Sequence, residues 1–562
     1  MTELRRALLW GIFSVSLVML WDGWNRHNGQ PSMFAPPVAT APAAPGAAPA
    51  GASSVPAPIA STAAAASAAA PGAVPATAAA TTAQAGERLV VTTDLVKATF
   101  DTRGGSLVRV ELLAHKDGEG HVVLLDQSAQ RLYVAETGLV AAGMAGAVPD
   151  HTTVMKPTTD VRALADGQDS LVLGFEATTA AGVKLVKTYT FQRGSYAVGV
   201  RHEVSNGGTA PVQPQLYLQL VRDGNPLPDA SSFYSTFTGP AIYSEAGKYQ
   251  KVEFSDIEKR KAGDKPGHEV SADNGWVAMV QHYFAAAWLP TGNAAREFYT
   301  RKVSDNLYAV GTLMPLGELA PAASRTVEAR LFVGPQQEKV LESLAPGLDL
   351  VKDYGWLTIL SKPLFWLLDR LHGLLGNWGW AIVALVVLLK IAFYWLNASA
   401  YRSMGKMKAI NPKIMEMRER LKDKPQQMQQ EMMRIYREEK VNPIGGCLPI
   451  FVQMPFFIAL YWVLLSSVEM RGAPWLGWVT DLSVKDPYFI LPLLMTATTV
   501  LQTWLNPTPP DPVQAKLMWI MPLAFSVMFF FFPAGLVLYW FVNNLLSIAQ
   551  QWMINRSLGL NK

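Results

Sequence analysis

Two kinds of hydrophobic pattern divide this chain. From about Glu87 to Gln336, apolar and polar positions alternate. Val183, Leu185, Lys187, Tyr189 and Phe191 fall on one face, with Lys184, Val186, Thr188 and Thr190 on the other. Tyr196, Val198, Val200, His202 and Val204 repeat the pattern after Arg193, Gly194 and Ser195, and Arg103-Gly104-Gly105 marks another turn. Many short strands at this spacing predict an all-β sandwich of two sheets over 87–340. Beyond residue 376 the alternation gives way to continuous apolar runs at 377–397, 444–468, 487–505, 516–532 and 534–552. Each is close to the ~20 residues needed to cross a bilayer. Pro533, Ala534 and Gly535 leave almost no loop between the last two, which predicts a tight helical hairpin.

A sixth apolar run lies at the N-terminus, from Ala7 to Trp21 behind Arg5 and Arg6. No A-x-A site follows it directly, and Trp10, Trp21 and Trp24 suit an interfacial belt, so 1–24 reads as an uncleaved signal anchor. A cleaved signal is the alternative. Residues 25–86 are Ala/Pro-rich; their scattered prolines break helix, and the segment reads as a disordered linker. Between the sandwich and the second span, Leu364, Leu367, Leu371 and Leu374 recur at helical spacing within 350–376. Asp369, Arg370 and His372 interrupt that surface. The segment reads either as an amphipathic helix lying in the membrane interface or as a connector packed on the β-domain.

Charge orients these segments. The loop 398–443 holds eleven Lys and Arg against six Asp and Glu, while 469–486 holds only Arg471 and Lys485 as basic residues. The positive-inside rule puts the first loop in the cytoplasm. Six spans then put both termini inside, including the tail 553–562, and the β-domain outside. The whole chain of 562 residues has a net charge of +4, with 16% charged and 50% hydrophobic residues. That balance offers no basic tail for specific DNA binding. The single cysteine, Cys447, excludes an intrachain disulfide.

Lys390 is the sharpest candidate for chemistry. It lies inside AIVALVVLLKIAFYWLN with apolar neighbours on both sides. An ionisable group within a span is costly and faces either a polar cavity or, by snorkelling, the interface. Gln453, Asn543 and Asn544 are amides within spans, each needing several hydrogen-bond partners. With Lys390 they are candidates to line one hydrated groove. The cytoplasmic loop reads as two helices, 399–421 and 425–440, divided at Lys424-Pro425. It carries Met404, Met407, Met415, Met417, Met428, Met432 and Met433, seven of the chain's 21 methionines. Met404, Met407, Met415, Met428 and Met432 read either as an adaptable surface for apolar client segments or as a core within the hairpin. No phosphate loop, H-E-x-x-H or G-x-S-x-G occurs, and the histidines lack metal-ligand spacing. Neither an enzyme nor a cofactor is expected.

Longer stretches carry a resemblance. NPIGGCLPIFVQMPFFIALYWVLLSSVEMRGAPW at 442–475, DPYFILPLLM at 486–495 and FPAGLVLYWFVNN at 532–544 closely resemble spans of the YidC membrane insertases. NPKIMEMRERLKD and EMMRIYREEKVNP resemble that family's cytoplasmic hairpin. DYGWLTILSKPLFWLLDRLHGLLGNWGWAI at 353–382 is similar to its interfacial helix, and GWVAMVQHYFAAAWLP at 275–290 to its periplasmic domain. The resemblance implies a multidomain bacterial inner-membrane protein. Its parts are a five-helix insertase core, an N-terminal anchor, a periplasmic β-supersandwich and a cytoplasmic helical hairpin. It implies insertion and folding of nascent membrane proteins, with or without the Sec translocon. The implied partners are SecYEG, SecD/SecF, the ribosome and membrane lipids. The family's functional charge in the second span is usually arginine, and the matching position here is Lys390.

Two rivals remain at this level. A solute transporter or channel predicts an inverted repeat or paired half-helices, which the sequence lacks. A periplasmic carbohydrate-acting enzyme needs clustered acid and base residues. Deleting about 90–330 separates the second rival from the insertase: client insertion is expected to survive, whereas a sugar activity would vanish.

Overall fold

The structure is a computed structural model. It describes residues 86–557 except 119, 143–145, 228–235, 262, 423, 440–447 and 507–511. The expected signal anchor, nearly all of the expected linker, Cys447 and residues 558–562 lie outside the described residues. The described residues divide into two compact units, one within 86–352 and the other within 353–557.

The first unit is built from two nine-stranded sheets. One runs in the order Arg88–Thr92, Val96–Asp101, Ser106–Asp117, Gly120–Gln127, Leu132–Ala141, Pro214–Asp223, Leu307–Pro315, Arg296–Ser304, Ser271–Ala272. The other runs Lys248–Lys251, Gly239–Ser244, Trp276–Val280, Phe284–Pro290, Ser324–Pro335, Ala197–Asn206, Val183–Gln192, Ser170–Thr178, Lys156–Pro157. The expected turns join strands as read: Gly104 and Gly194 sit at φ 72° and 71°, the left-handed region glycine enters without a Cβ penalty. Two short helices accompany the sheets, α1 (Phe254–Lys259) and α2 (Glu338–Leu344).

Aromatic side chains fill the space between the sheets. Phe100 of the first sheet lies 4.7 Å from Tyr189 and 5.7 Å from Phe175 of the second, ring centre to ring centre. Polar side chains bridge the same layer. Lys187 is fully buried, and its Nζ donates to the carbonyls of Gly104 at 2.6 Å and Thr137 at 2.7 Å. Tyr189 Oη donates to the Gly105 carbonyl at 2.8 Å. His202, also fully buried, meets Thr137 Oγ1 through Nε2 at 3.0 Å. All three come from strands whose alternation aimed them inward, so the sheets are tied by hydrogen bonds as well as by apolar contact. Leaving any of these buried groups unpaired would cost about 1–3 kcal/mol.

Burial sets how this unit responds to pH. Desolvation lowers the His202 pKa from its ordinary 6.5 to about 3, and the neighbouring Lys187 charge pushes it the same way. Burial also lowers His268. His202 is therefore neutral when folded and protonates on unfolding below about 6.5, and the lowering of His268 acts in the same direction. Their contribution is intact above that pH and is lost as pH falls, at up to about 1.4 kcal/mol per pH unit for each group. Desolvation lowers Lys187 from 10.5 to about 7, partly countered by Asp150 and Glu136. That group opposes folding fully below about 7 and less as pH rises toward 10.5. Both windows give the same sign. Sheet unfolding in the detergent-solubilised chain, followed by far-ultraviolet dichroism, should shift to higher temperature from pH 5 to pH 8. His202→Gln should flatten the acidic limb, and a wild-type melt independent of pH would contradict the assignment.

The second unit is helical. Its helices are α3 (Thr358–Leu375), α4 (Trp378–Ala392), α5 (Tyr394–Arg420), α6 (Pro425–Glu438), α7 (Leu448–Ser466), α8 (Ile490–Leu505), α9 (Pro512–Met528) and α10 (Ala534–Ser557). α10 is the hub, packing on α4, α5, α7 and α8, while α3 packs on α4 and α7. Among the described residues no single helix is both long and apolar enough to cross a membrane. The pair α4 and α5, taken over Trp378–Ala392 and Tyr394–Met407, meets that measure together but is bent by 67°. The expected second span 377–397 thus takes in α4, a break at Phe393 and the first turn of α5, which runs unbroken through residue 398 into the loop. Helical periodicity continues across the break, so apolar content alone does not reveal it. Pro425 opens α6 as expected, since proline at a first turn sacrifices no intrahelical bond.

Candidate functional site: a lysine among apolar helices

The break at Phe393 positions the principal side chain. Lys390 occupies the last turn of α4, half-buried, and its Nζ donates to Ser547 Oγ of α10 at 2.7 Å. Ser547 in turn donates to the Asn543 carbonyl one turn back at 2.7 Å. The Tyr401 hydroxyl of α5 lies near the Ser547 side chain. Just past the bend, Gln550 Nε2 donates to the Tyr394 carbonyl at 3.3 Å. Among the described residues no carboxylate lies within ion-pair distance of Lys390. Its ammonium has three donors and one identified acceptor, which leaves capacity for an incoming anionic or carbonyl group.

Spacing along α10 explains the arrangement. Asn543, Ser547 and Gln550 follow at intervals of four and three and share the face toward the α4–α5 bend. Asn544 and Gln551, seven apart, face α8. Asn544 Nδ2 donates to Thr499 Oγ1 at 3.0 Å, and Gln551 Nε2 donates to Asn506 Oδ1 at 3.2 Å. Buried Asn397 of α5 leaves its Nδ2 without a partner among the described residues. The polar groups therefore form two adjacent rows along one helix rather than a single cluster.

Three of the four expected groove residues meet these rows, and Gln453 does not. Lys390 joins α10 through Ser547, and Asn543 enters through its backbone carbonyl. Asn544 bonds to α8 instead of Lys390. Gln453 is half-buried on α7, one turn before Phe456 and Phe457, and no described hydrogen bond joins it to Lys390. Phe456 and Phe457 pack edge-on against Phe393 at 5.0 Å and Trp540 at 4.2 Å. Sequence reading missed Ser547, Gln550, Gln551 and Tyr401. A signal existed in the polar residue at every third or fourth position of the last helix.

The methionines of the hairpin split by environment. Ile410, Ile414 and Met417 form its core, and Met407, Met428 and Met432 pack against that core. Met404 is half-buried, whereas Met415 is exposed and so is Met433, which was not among the expected contact residues. Met407, Met428 and Met432 thus belong to the hairpin's own packing, and Met415 and Met433 face outward. Around the remaining helices the usual order of burial is reversed. α9 exposes Ile520, Phe525 and Val527, α8 exposes Leu493 and Trp504, and α3 exposes Ile359, Trp366 and Leu374. Apolar surface of this extent marks contact with lipid or with another apolar surface.

Comparison with known proteins adds a separate line of evidence. Residues 88–367 match the family model of the YidC periplasmic domain, and residues 370–561 match that of the 60Kd inner membrane protein. The membrane protein insertase YidC of Cupriavidus taiwanensis is 58% identical over 568 residues, covering 100% of this chain and 99% of that protein. The one of Ralstonia nicotianae is 56% identical over 565 residues, again covering 100% and 99%. A crystal structure of an active YidC insertase with its first transmembrane domain resolved is 19% identical. It covers 83% of this chain and 92% of that one, with a TM-score of 0.36.

The split among the methionines is open to test. Met428→Ala and Met432→Ala should each destabilise the hairpin by about 1–2 kcal/mol, less than a fully buried truncation. Limited proteolysis across 400–440 should quicken for both and stay unchanged for Met415→Ala. Equal sensitivity in all three would contradict the assignment.

Proposed function

The chain belongs to the YidC family of membrane protein insertases, and from that premise we propose how its residues move a client into the bilayer. It is an insertase of the bacterial inner membrane, with a β-sandwich periplasmic domain and a C-terminal helical insertase region. The finer topology proposed here has six spans: the N-terminal anchor and segments centred on α4, α7, α8, α9 and α10. Both termini and the α5–α6 hairpin lie in the cytoplasm. The basic excess in 398–443 supports this orientation.

One observation carries the mechanism: a cationic side chain sits among apolar helices with a neutral hydroxyl as partner and, among the described residues, no carboxylate. A charge within a span costs up to about 2.5–3.5 kcal/mol by insertion scales, the figure for a helix centre. An incoming carboxylate or polar tail recovers part of that cost by bonding to Lys390, which draws the tail into the inner leaflet. Asn543, Asn544 and Gln453 are proposed to supply further hydrogen bonds along the route. The bend at Phe393 separates α4 from α5 and gives the tail a way in from the cytoplasmic side. Exposed Met415 and Met433 on the hairpin meet the apolar part of the client first, since methionine adapts to varied shapes. That apolar segment then leaves along the exposed faces of α8 and α9, driven by transfer from water to lipid. The membrane potential adds to the drive for an acidic tail.

The described α8 has 16 residues, about 24 Å at 1.5 Å per residue, against a hydrocarbon core of ~30 Å. A bilayer adjusting to it would thin locally and shorten the polar tail's path. Contacts with SecYEG, SecD/SecF and the ribosome are proposed on family membership; the eleven basic residues of 398–443 suit lipid headgroups and ribosomal RNA. A transporter or a sugar-acting enzyme is not favoured.

Lys390→Ala is expected to slow insertion of an acidic-tailed client by about tenfold or more, matching the ~1.5–3 kcal/mol of a hydrogen bond to a charged group. Lys390→Arg should retain most of the rate. The measurement is protease protection of the client's tail in proteoliposomes. Wild-type insertion by the alanine variant would remove the charge from the mechanism.

A further inference from the structure

A cavity of about 280 Å³ opens at one end of the second sheet, near the C-terminal end of α2. Its lining includes Arg330, Arg296, Glu245, Asn274, Asn293 and Leu344. Arg296 is 1% exposed and already committed: its guanidinium donates to the carbonyls of Ala294, Gly275 and Gly292, and Asp273 lies close enough to offset its charge. Arg330 differs. It is half-buried, it donates through one terminal nitrogen to the Leu344 carbonyl, and no carboxylate pairs with it among the described residues. A guanidinium carries five N–H donors, so most of this one remains available to the cavity.

Further donors border it. Gly292 takes φ 73° in the turn that borders the cavity, and the Gly292 and Asn293 amides have no protein acceptor among the described residues. The Asn293 side chain is exposed at the same place. Glu245 is the one acidic lining residue, and it is exposed. The volume falls just short of the ~300–1,000 Å³ of sites for drug-sized ligands, which selects a small one. A free guanidinium fork with neighbouring N–H groups matches the acceptor oxygens of a phosphate.

We propose that this cavity binds a phosphate ester of headgroup size, with Arg330 as its principal contact. Such a group comes either from a phospholipid headgroup or from a soluble phosphate ester, and the recognition chemistry is the same. The site is lined by residues of the β-domain alone and gives that domain a ligand of its own.

The test uses the full chain in neutral detergent. Glycerol phosphate, glycerol and dihexanoyl phosphatidylglycerol are titrated by calorimetry into wild type, Arg330→Gln and Glu245→Gln. Wild type should bind glycerol phosphate saturably and glycerol not at all. Arg330→Gln should weaken binding about tenfold through loss of the charge-assisted contact. Glu245→Gln, on an exposed residue, should tighten it by about two- to threefold through removal of a like charge. Tighter binding of phosphatidylglycerol than of glycerol phosphate supports the lipid as source; equal binding supports the soluble ester. If neither phosphate compound binds saturably, or if affinity ignores both substitutions, the proposal fails.

Discussion

The hydrogen bond from Lys390 to Ser547 is the constraint on which the helical unit depends. An ammonium that has left bulk water needs acceptors, and the surrounding helices offer few. Ser547 provides one because α10 carries polar residues at intervals of three and four. That spacing in turn requires α10 to sit at the centre, where α4, α5, α7 and α8 can pack around it. The break at Phe393 follows from the same geometry. It ends α4 two residues after Lys390 and lets α5 leave in a different direction, carrying the hairpin away from the apolar cluster.

The two halves of the protein solve opposite problems with similar parts. In the β-domain, Lys187 is buried and has two carbonyl acceptors, so it is spent on holding the sheets together. In the helical unit, Lys390 has one identified hydroxyl and remains under-coordinated. A buried cation with most of its donors taken is structural, and one with most of them spare is available to a ligand. The same contrast separates Arg296 from Arg330 at the cavity of the β-domain. Burial therefore identifies the costly groups, and their remaining hydrogen-bond capacity distinguishes scaffold from site.

Much of this was legible in the sequence because it rests on period. The alternation at Val183–Phe191 and Tyr196–Val204 placed those strands and their turn. Pro425 placed the start of α6, and Lys390 stood out because nothing around it was polar. What escaped depends on contacts distant in sequence. The partner of Lys390 lies 157 residues away, and no local pattern points from one to the other. The Asn543-Asn544 pair looked like a unit, but adjacent residues on a helix diverge by about 100°, so one faces α4 and α5 while the other faces α8. The methionines looked uniform, although Ile410, Ile414 and Met417 draw Met407, Met428 and Met432 inward and leave Met415 out. The bend at Phe393 was invisible because a kink without proline leaves the apolar run intact.

The central claim is that Lys390 acts through its charge on the client's polar tail, and a charge-reversal cycle tests it most directly. Insertion rates are measured for wild type and Lys390→Glu, each with a client whose tail is acidic and with the same client made basic. The account predicts a crossed result: the reversal slows the acidic tail strongly and favours the basic one. If Lys390→Glu impairs both tails by the same factor, the residue serves the fold of the groove rather than recognition, and the account is wrong.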